Sequence, residues 1–295
     1  MTDLRSSRIA FVGSGVMAEV MISGLLSQGA AEPERIWASG PREDRAIQLR
    51  EAYGIHGTTD NLEAVGNADL VVLSVKPQTL PKVLPEIRKG IREGHLVLSI
   101  IAGARMKVLG SSLRHPAIVR CMPNLPCRIR RGMTVWTATS EVRPEAREEV
   151  RSILRTMGKE IYVSDELDVD RATAVNGTGP AIIAHFVKSV EDAANFIGEP
   201  RALARQSVLE TIIGTAEMIL ASDRHPAELI DSVTSPGGTT SRALHVLHQG
   251  RFSAVLTDAI DAAYRRTLEL GAKLDEQVRE QRDREATGAH RIVKS

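Results

Sequence analysis

The sequence predicts an α/β domain followed by an all-α domain, and three observations lead there. Short apolar runs alternate with helical patterns through the first half, as βαβ units on a parallel sheet require. The apolar run at residues 8–12 leads straight into Gly13-Ser14-Gly15-Val16-Met17-Ala18, a glycine-rich turn that opens a helix. From residue 167 to about residue 271 strand patterning disappears and only long helical periods remain. The expected division is 1–165 for the α/β domain, 166–273 for the helical domain and 274–295 for a polar, charged tail.

Taken in order, strands are expected at residues 8–12, 35–39, 70–75, 95–101 and 117–122. Residues 135–138 and 160–163 complete the sheet, one or both antiparallel. The first helix, 16–27, is closed by Gln28-Gly29, and a charged helix at 144–157 is solvated on one face. The helical half is interrupted at Gly198-Glu199-Pro200, at Asp223-Arg224-His225-Pro226 and at a loop around Ser235. The helix that starts near Pro180 is small and apolar around most of its circumference, with Ile182, Ile183, Phe186, Val187 and Val190 among its residues. Such a helix needs cover on several sides, and a second subunit supplies it most easily. The charged stretch after Leu274 is expected as a solvent helix or a disordered tail.

Composition narrows the function classes. With 38 basic and 37 acidic residues the net charge is +1, and aromatics make up 3% of 295 residues. Neither an electrostatic footprint nor a stacking platform for nucleic acid is present. No apolar run is long enough to span a membrane and no signal-peptide pattern precedes the first strand, so a cytoplasmic protein is the expectation. The two cysteines, Cys121 and Cys127, fit no zinc or redox spacing and read as small buried residues in a reducing compartment. The histidines are scattered, and no metal is expected.

Two loops carry chemistry. The segment Gly13 to Ala18 has the G-x-G-x-x-A form of the dinucleotide fingerprint of Rossmann-type domains. Gly13 permits the tight turn, Gly15 lets a pyrophosphate reach the backbone, and Ala18 lets helix and strand pack closely. The second strand ends in Ser39-Gly40-Pro41-Arg42 with no carboxylate at its tip, which favours NADPH over NADH, although Glu43 and Asp44 follow closely. Val75, Lys76 and Pro77 after one strand, and Ala102 and Gly103 after the next, fall where ligands bind in open α/β sheets. Far along the chain, Ser235-Pro236-Gly237-Gly238-Thr239-Thr240 places adjacent glycines at the start of a helix, where free N–H groups suit a carboxylate. A helix cap followed by a turn meets the same pattern.

Taken with Val75-Lys76-Pro77, Met122-Pro123-Asn124 and Asn176-Gly177-Thr178-Gly179-Pro180-Ala181, these two loops resemble the pyrroline-5-carboxylate reductase family, in order, from about residue 8 to about residue 271. The resemblance implies NAD(P)H-dependent reduction of the cyclic imine Δ1-pyrroline-5-carboxylate to L-proline, the last step of proline synthesis. It implies a Rossmann domain followed by a helical dimerisation domain, with a homodimer that can assemble further. It places Gly13, Ser14, Gly15, Val16, Met17 and Ala18 around the pyrophosphate, Ser39 at the 2′-phosphate, Asn61, Lys76 and Pro77 along the cofactor, and Asn124 near the nicotinamide. It places Ser235, Gly238, Thr239 and Thr240 on the substrate carboxylate, with the Thr240 hydroxyl beside the imine nitrogen.

The chain departs from the family pattern in two places. A common Ser-Gly-Ser-Gly-Pro-Ala-Tyr reads Asn176 to Ile182 here, and Leu125 replaces a frequent threonine. A paralogue reducing a related cyclic imine and a non-catalytic dinucleotide sensor therefore stay open. The two-domain outline also resembles the β-hydroxyacid dehydrogenases, a second reading because Lys188, the lysine on the helix in question, lies two turns beyond Pro180 and no base is well placed.

Overall fold

The computed structural model describes residues 7–292, with side chains to residue 284. The chain divides into two compact units. The first runs to Thr178 and takes in the chain from Ala263 onward, and the second is Gly179–Ala262.

The first unit opens with β1 (Ile9–Val12), α1 (Val16–Ser27), β2 (Ile36–Ser39), α2 (Glu43–Tyr53), β3 (His56–Thr58) and α3 (Asn61–Gly66). It continues with β4 (Leu70–Leu73), α4 (Leu80–Ile87), β5 (Leu96–Ser99), α5 (Met106–Leu113) and β6 (Ile118–Met122). Then come β7 (Gly132–Ala138), α6 (Pro144–Arg155), β8 (Gly158–Tyr162) and α7 (Glu166–Ala172). The eight strands form one sheet in the order β3-β2-β1-β4-β5-β6-β7-β8. Strands β1 to β6 pair in parallel, β7 pairs antiparallel with β6, and β8 pairs in parallel with β7. Both final strands therefore run against the other six.

Because successive side chains point to opposite faces, each central strand feeds two cores. Ile9, Phe11, Ile36 and Val72 pack with Met21, Ile22 and Leu25 of α1 on one face. Ala10, Val12, Val71 and Leu73 pack with Leu80, Leu84 and Leu109 on the other. β3 was not among the expected strands. It has three residues, two of them polar and one glycine, too few to show alternation, and it is held through its pairing with β2 and the stacking of His56 on Trp37 at 4.4 Å.

The compact units divide the chain elsewhere than at the expected 165 and 273. α7 belongs to the first unit because Arg120 of β6, 1% exposed, is paired with Glu166 at 3.1 Å and with Asp170. The tail is not merely solvated, for it is the continuation of α12 (Phe252–Ile292), whose Leu274 and Val278 are each 3% exposed and join the second core beside Leu109 and Leu113. Gly271 of the same helix lies against Gly103. Buried Thr267, Gly271, Leu274 and Val278 recur at spacings of four, three and four residues, a narrow helical stripe inside a charged sequence.

The second unit contains α8 (Gly179–Phe196), α9 (Arg201–Ala221), α10 (Pro226–Ser232), α11 (Thr239–Gln249) and the first part of α12. No residue of α8 is buried in the single chain, and Ile183, Phe186 and Phe196 stand exposed. Among the described residues no helix is long and apolar enough to cross a membrane, and no group of acidic, histidine or cysteine side chains is arranged to hold a metal ion.

Two outcomes follow from this packing. Leu274→Ala should cost about 2–4 kcal/mol, the range for a buried leucine, measured by denaturant unfolding. A loss under about 0.5 kcal/mol would return the segment to the solvent. His95 and His115 are both buried, with the His115 ring bonded to His95 O at 2.7 Å, and burial pushes both imidazoles below their ordinary value of 6.5. The unfolded chain takes up protons that the folded chain refuses, so this contribution is intact above pH 6.5 and is lost as pH falls below it. Each histidine sets a slope of at most about 1.4 kcal/mol per pH unit there. Unfolding of His115→Gln should show a shallower pH dependence between pH ~7.5 and ~5.5 than the native chain, and an equal slope would remove His115 from the account.

Candidate active site

Every residue expected at the cofactor falls at or just beyond the carboxyl ends of β1 to β6, the edge where open α/β sheets bind ligands. The two glycines of the first loop are there for different reasons. At Gly13, φ is +108° and an added Cβ would lie 2.6 Å from Ser74 C and Val75 N, so the fold itself requires glycine. At Gly15 the backbone is extended and an added Cβ would meet nothing within 4 Å. The protein makes no demand for glycine there, and the open space over the backbone fits an arriving phosphate.

The start of α1 has no side-chain cap, and among the described residues its first N–H groups are unclaimed. Glu19 in that first turn is an anion where anions should bind, and its charge is answered locally. Arg45 pairs with it at 2.5 Å and the Tyr53 hydroxyl donates to it at 3.0 Å. Burial raises the Glu19 carboxyl, yet these hydrogen bonds outweigh it and hold the group below its ordinary value. Arg45 Nε also donates to Ser14 O at 3.0 Å. In a trans peptide the carbonyl and the following N–H point in opposite directions, so holding Ser14 O on one side turns the Gly15 N–H to the other. Ser74 Oγ holds the loop from β4, donating toward Gly13 O at 2.7 Å. Val16 is exposed, Met17 is half-buried and Ala18 is buried against the sheet.

At the tip of β2, Ser39 is buried and donates to Asn61 Oδ1 at 2.7 Å, so the structure brings these two expected residues together. Asn61 opens α3, is half-buried, and donates through Nδ2 to Glu86 Oε2 at 3.0 Å. Arg42 precedes α2, is exposed, and stands 3.8 Å from Asp44. After β4, Val75 is half-buried, Lys76 is exposed and Pro77 opens a short 3-10 turn, Pro77–Thr79. After β5, Ala102 is half-buried, while Gly103 is accounted for by packing, since its added Cβ would lie 3.0 Å from the Gly271 backbone.

Asn124, just after β6, is tied into the scaffold. Its Oδ1 accepts from Met133 N at 3.0 Å and its Nδ2 donates to Asn176 Oδ1 at 2.7 Å. Asn176 in turn donates to Met133 O at 2.9 Å and Met122 O at 3.1 Å. It lies in a π-helical segment, Thr173–Gly177, that follows α7.

In the second unit, Gly238 N–H donates to Ser235 O at 3.0 Å and Gly237 has φ +71°. A Cβ on Gly238 would lie 2.4 Å from Ser235 Oγ, so a side chain there would have to displace that hydroxyl. Thr239 and Thr240 begin α11, whose first turn holds no acid and has no side-chain cap. Thr240 is half-buried and Ser235 is exposed. Lys188, the alternative base, pairs with Asp192 at 2.6 Å on the surface of α8, and that hydrogen bond raises its ammonium further from the range of a base.

Residues 166–270 match the family described as pyrroline-5-carboxylate reductase dimerisation, and residues 8–103 match NADP oxidoreductase, coenzyme F420-dependent. The pyrroline-5-carboxylate reductase of Synechocystis is 36% identical over 268 residues, covering 91% of this chain and 100% of that protein. The chain belongs to the pyrroline-5-carboxylate reductase family. Among solved structures, the reductase of Coxiella burnetii superposes with a TM-score of 0.82 at 34% identity, covering 90% of this chain and 98% of that one. The Plasmodium falciparum pyrroline carboxylate reductase with NADP bound gives 0.83 at 28% identity, covering 90% and 99%.

Against the family pattern, the departure at Asn176 has a structural account: its amide makes three hydrogen bonds that join β6, β7 and the π segment. Residues that sequence reasoning did not reach are Glu19, Arg45 and Tyr53 behind the glycine loop and Glu86 behind Asn61. No spacing signals them, for the partners lie 25 to 34 residues apart.

Gly15→Ala should weaken dinucleotide binding by about tenfold or more while the melting temperature stays within about a degree, because its Cβ meets only the ligand's space. Binding by fluorescence titration and a thermal melt of the same sample decide it. An unimpaired affinity would remove the pyrophosphate from that loop.

Proposed function

We infer that the chain reduces Δ1-pyrroline-5-carboxylate to L-proline with a reduced nicotinamide dinucleotide, NADPH first and NADH as an alternative. The turn from Ser235 to Thr240 carries this assignment: it sits at the uncapped, acid-free start of α11, in a chain that follows the reductase family over nine-tenths of its length. The substrate carboxylate is held there by the Ser235 and Thr239 hydroxyls and the first-turn N–H groups, with the positive end of the helix dipole behind them. The open backbone at Gly15 and the first turn of α1 take the pyrophosphate.

When bound, the dihydronicotinamide supplies a hydride for the carbon of the C=N bond. The nitrogen carries a proton, so its charge is cancelled by the hydride and the products are a secondary amine and the oxidised dinucleotide. The chain's own task is positioning. Thr240 accepts a hydrogen bond from the protonated imine nitrogen and sets the ring's orientation, a role that suits a hydroxyl better than acid catalysis does. Asn124 and Lys76 line the cofactor from the ends of β6 and β4.

The exposed apolar residues of α8 support a homodimer formed through the helical unit, in keeping with the dimerisation family matched there. Two free, buried cysteines agree with a reducing cytoplasmic setting.

The test is dinucleotide consumption with Δ1-pyrroline-5-carboxylate at neutral pH, with proline identified as the product. Thr240→Ala should lower kcat/KM by about ten- to a hundredfold, the loss of one hydrogen bond to a charged group, while NADPH affinity moves by less than about twofold. Turnover only of six-membered cyclic imines would assign a paralogue, and tight NADPH binding with no turnover of any imine would assign a sensor.

A further inference from the structure

In dinucleotide-binding sheets the tip of the second strand meets the 2′ position of the adenosine ribose. In this chain Ser39 occupies that tip but is buried, and its hydroxyl hydrogen is directed to Asn61 Oδ1 at 2.7 Å. The polar group left facing outward beside it is Asn61, which is half-buried. Behind Asn61 stands a carboxylate, Glu86 of α4, whose Oε2 accepts from Asn61 Nδ2 at 3.0 Å.

A carboxylate can only accept, so Glu86 dictates which way the Asn61 amide lies. Turned over, Asn61 would set its own oxygen against the Glu86 oxygens and offer Ser39 a donor in place of an acceptor. Among the described residues Glu86 makes this hydrogen bond and no ion pair. The cations nearest in sequence to the strand tip are already matched, Arg42 near Asp44 at 3.8 Å and Arg50 on Glu43 at 3.2 Å. Glu86 is two hydrogen bonds from the Ser39 oxygen, closer than the screening length of about 8 Å at physiological salt, so solution ions do not mask it from a ligand there.

We propose that Glu86 is a specificity-determining residue that opposes a 2′-phosphate through Asn61 and so narrows the preference for NADPH over NADH. This rests on the dinucleotide assignment above. A ribose hydroxyl is neutral and can both donate to and accept from the Asn61 amide. A 2′-phosphate adds up to two negative charges near the Glu86 carboxylate.

The experiment is a fluorescence titration of the full chain with NADH and with NADPH, for the native protein, Glu86→Gln and Glu86→Ala. Glutamine keeps an acceptor for Asn61 and removes the charge, while alanine removes both. The ratio of the NADPH Kd to the NADH Kd should fall about tenfold in each variant. If both nucleotides bind and the Glu86→Gln ratio is unchanged, the proposal is wrong, and a shift confined to Glu86→Ala would assign the effect to amide position and overturn it equally. If the native protein binds neither nucleotide, the dinucleotide assignment itself fails and takes this inference with it.

Discussion

The candidate cofactor edge depends on one close approach, the backbone of Gly13 against the Ser74–Val75 peptide. With a Cβ excluded at 2.6 Å, β1 can end directly beside the end of β4, and the loop that leaves it must turn at once into α1. That turn carries Ser14 to a place where Arg45 holds its carbonyl, and it leaves the extended Gly15 over open space. Among the described residues the first-turn amides of α1 then have no partner. The close contact costs the chain any side chain at position 13, and a candidate anion site follows from it.

Both candidate anion sites use a helix start, and they treat charge differently. α11 begins with Thr239-Thr240-Ser241 and has no acid in its first turn, so its dipole is unopposed. α1 carries Glu19 in its first turn, which would repel a pyrophosphate if it stood alone. Arg45 at 2.5 Å and the Tyr53 hydroxyl at 3.0 Å answer it. The same Arg45 also orients the loop peptide, so one guanidinium cancels a charge and sets a donor. Replacing it by lysine would keep the charge and lose the fork that reaches both groups.

Much of this was legible from pattern. The strands β1, β2, β4, β5 and β6 are buried apolar runs, and the glycine loop and the Ser235 turn are local motifs, so single-sequence reading reached them. β3 escaped because three residues, His56, Gly57 and Thr58, cannot display alternation. The docking of α12 escaped because two of its four buried stripe positions are Thr267 and Gly271, which do not register as apolar. Gly103 read as a possible ligand neighbour, yet the structure accounts for its lack of a side chain by the approach of Gly271, a contact 168 residues away that no local pattern could disclose. Glu86, Arg45 and Tyr53 are ordinary charged or polar helix residues whose meaning lies only in which loop they face.

The altered segment after α7 is where sequence and structure weigh differently. Read as a motif, Asn176 in place of a small hydroxyl residue puts the substrate pocket in question. In the fold, α7 and the π segment are fastened to β6 at two points: Arg120 holds Glu166 and Asp170, and Asn124 holds Asn176. A serine hydroxyl carries one hydrogen and could not make the bonds that the Asn176 amide makes to Met122 O, Met133 O and Asn124 together. The extra backbone residue of a π turn, often found at functional sites, lies within the fastened segment. The longer amide thus serves the same edge of the sheet that holds Asn124, and what departs from the family pattern there is a joint of the scaffold around Asn124. The change lies in the scaffold of the first unit, and the Ser235–Thr240 turn, which belongs to the second, keeps the family's pattern unaltered.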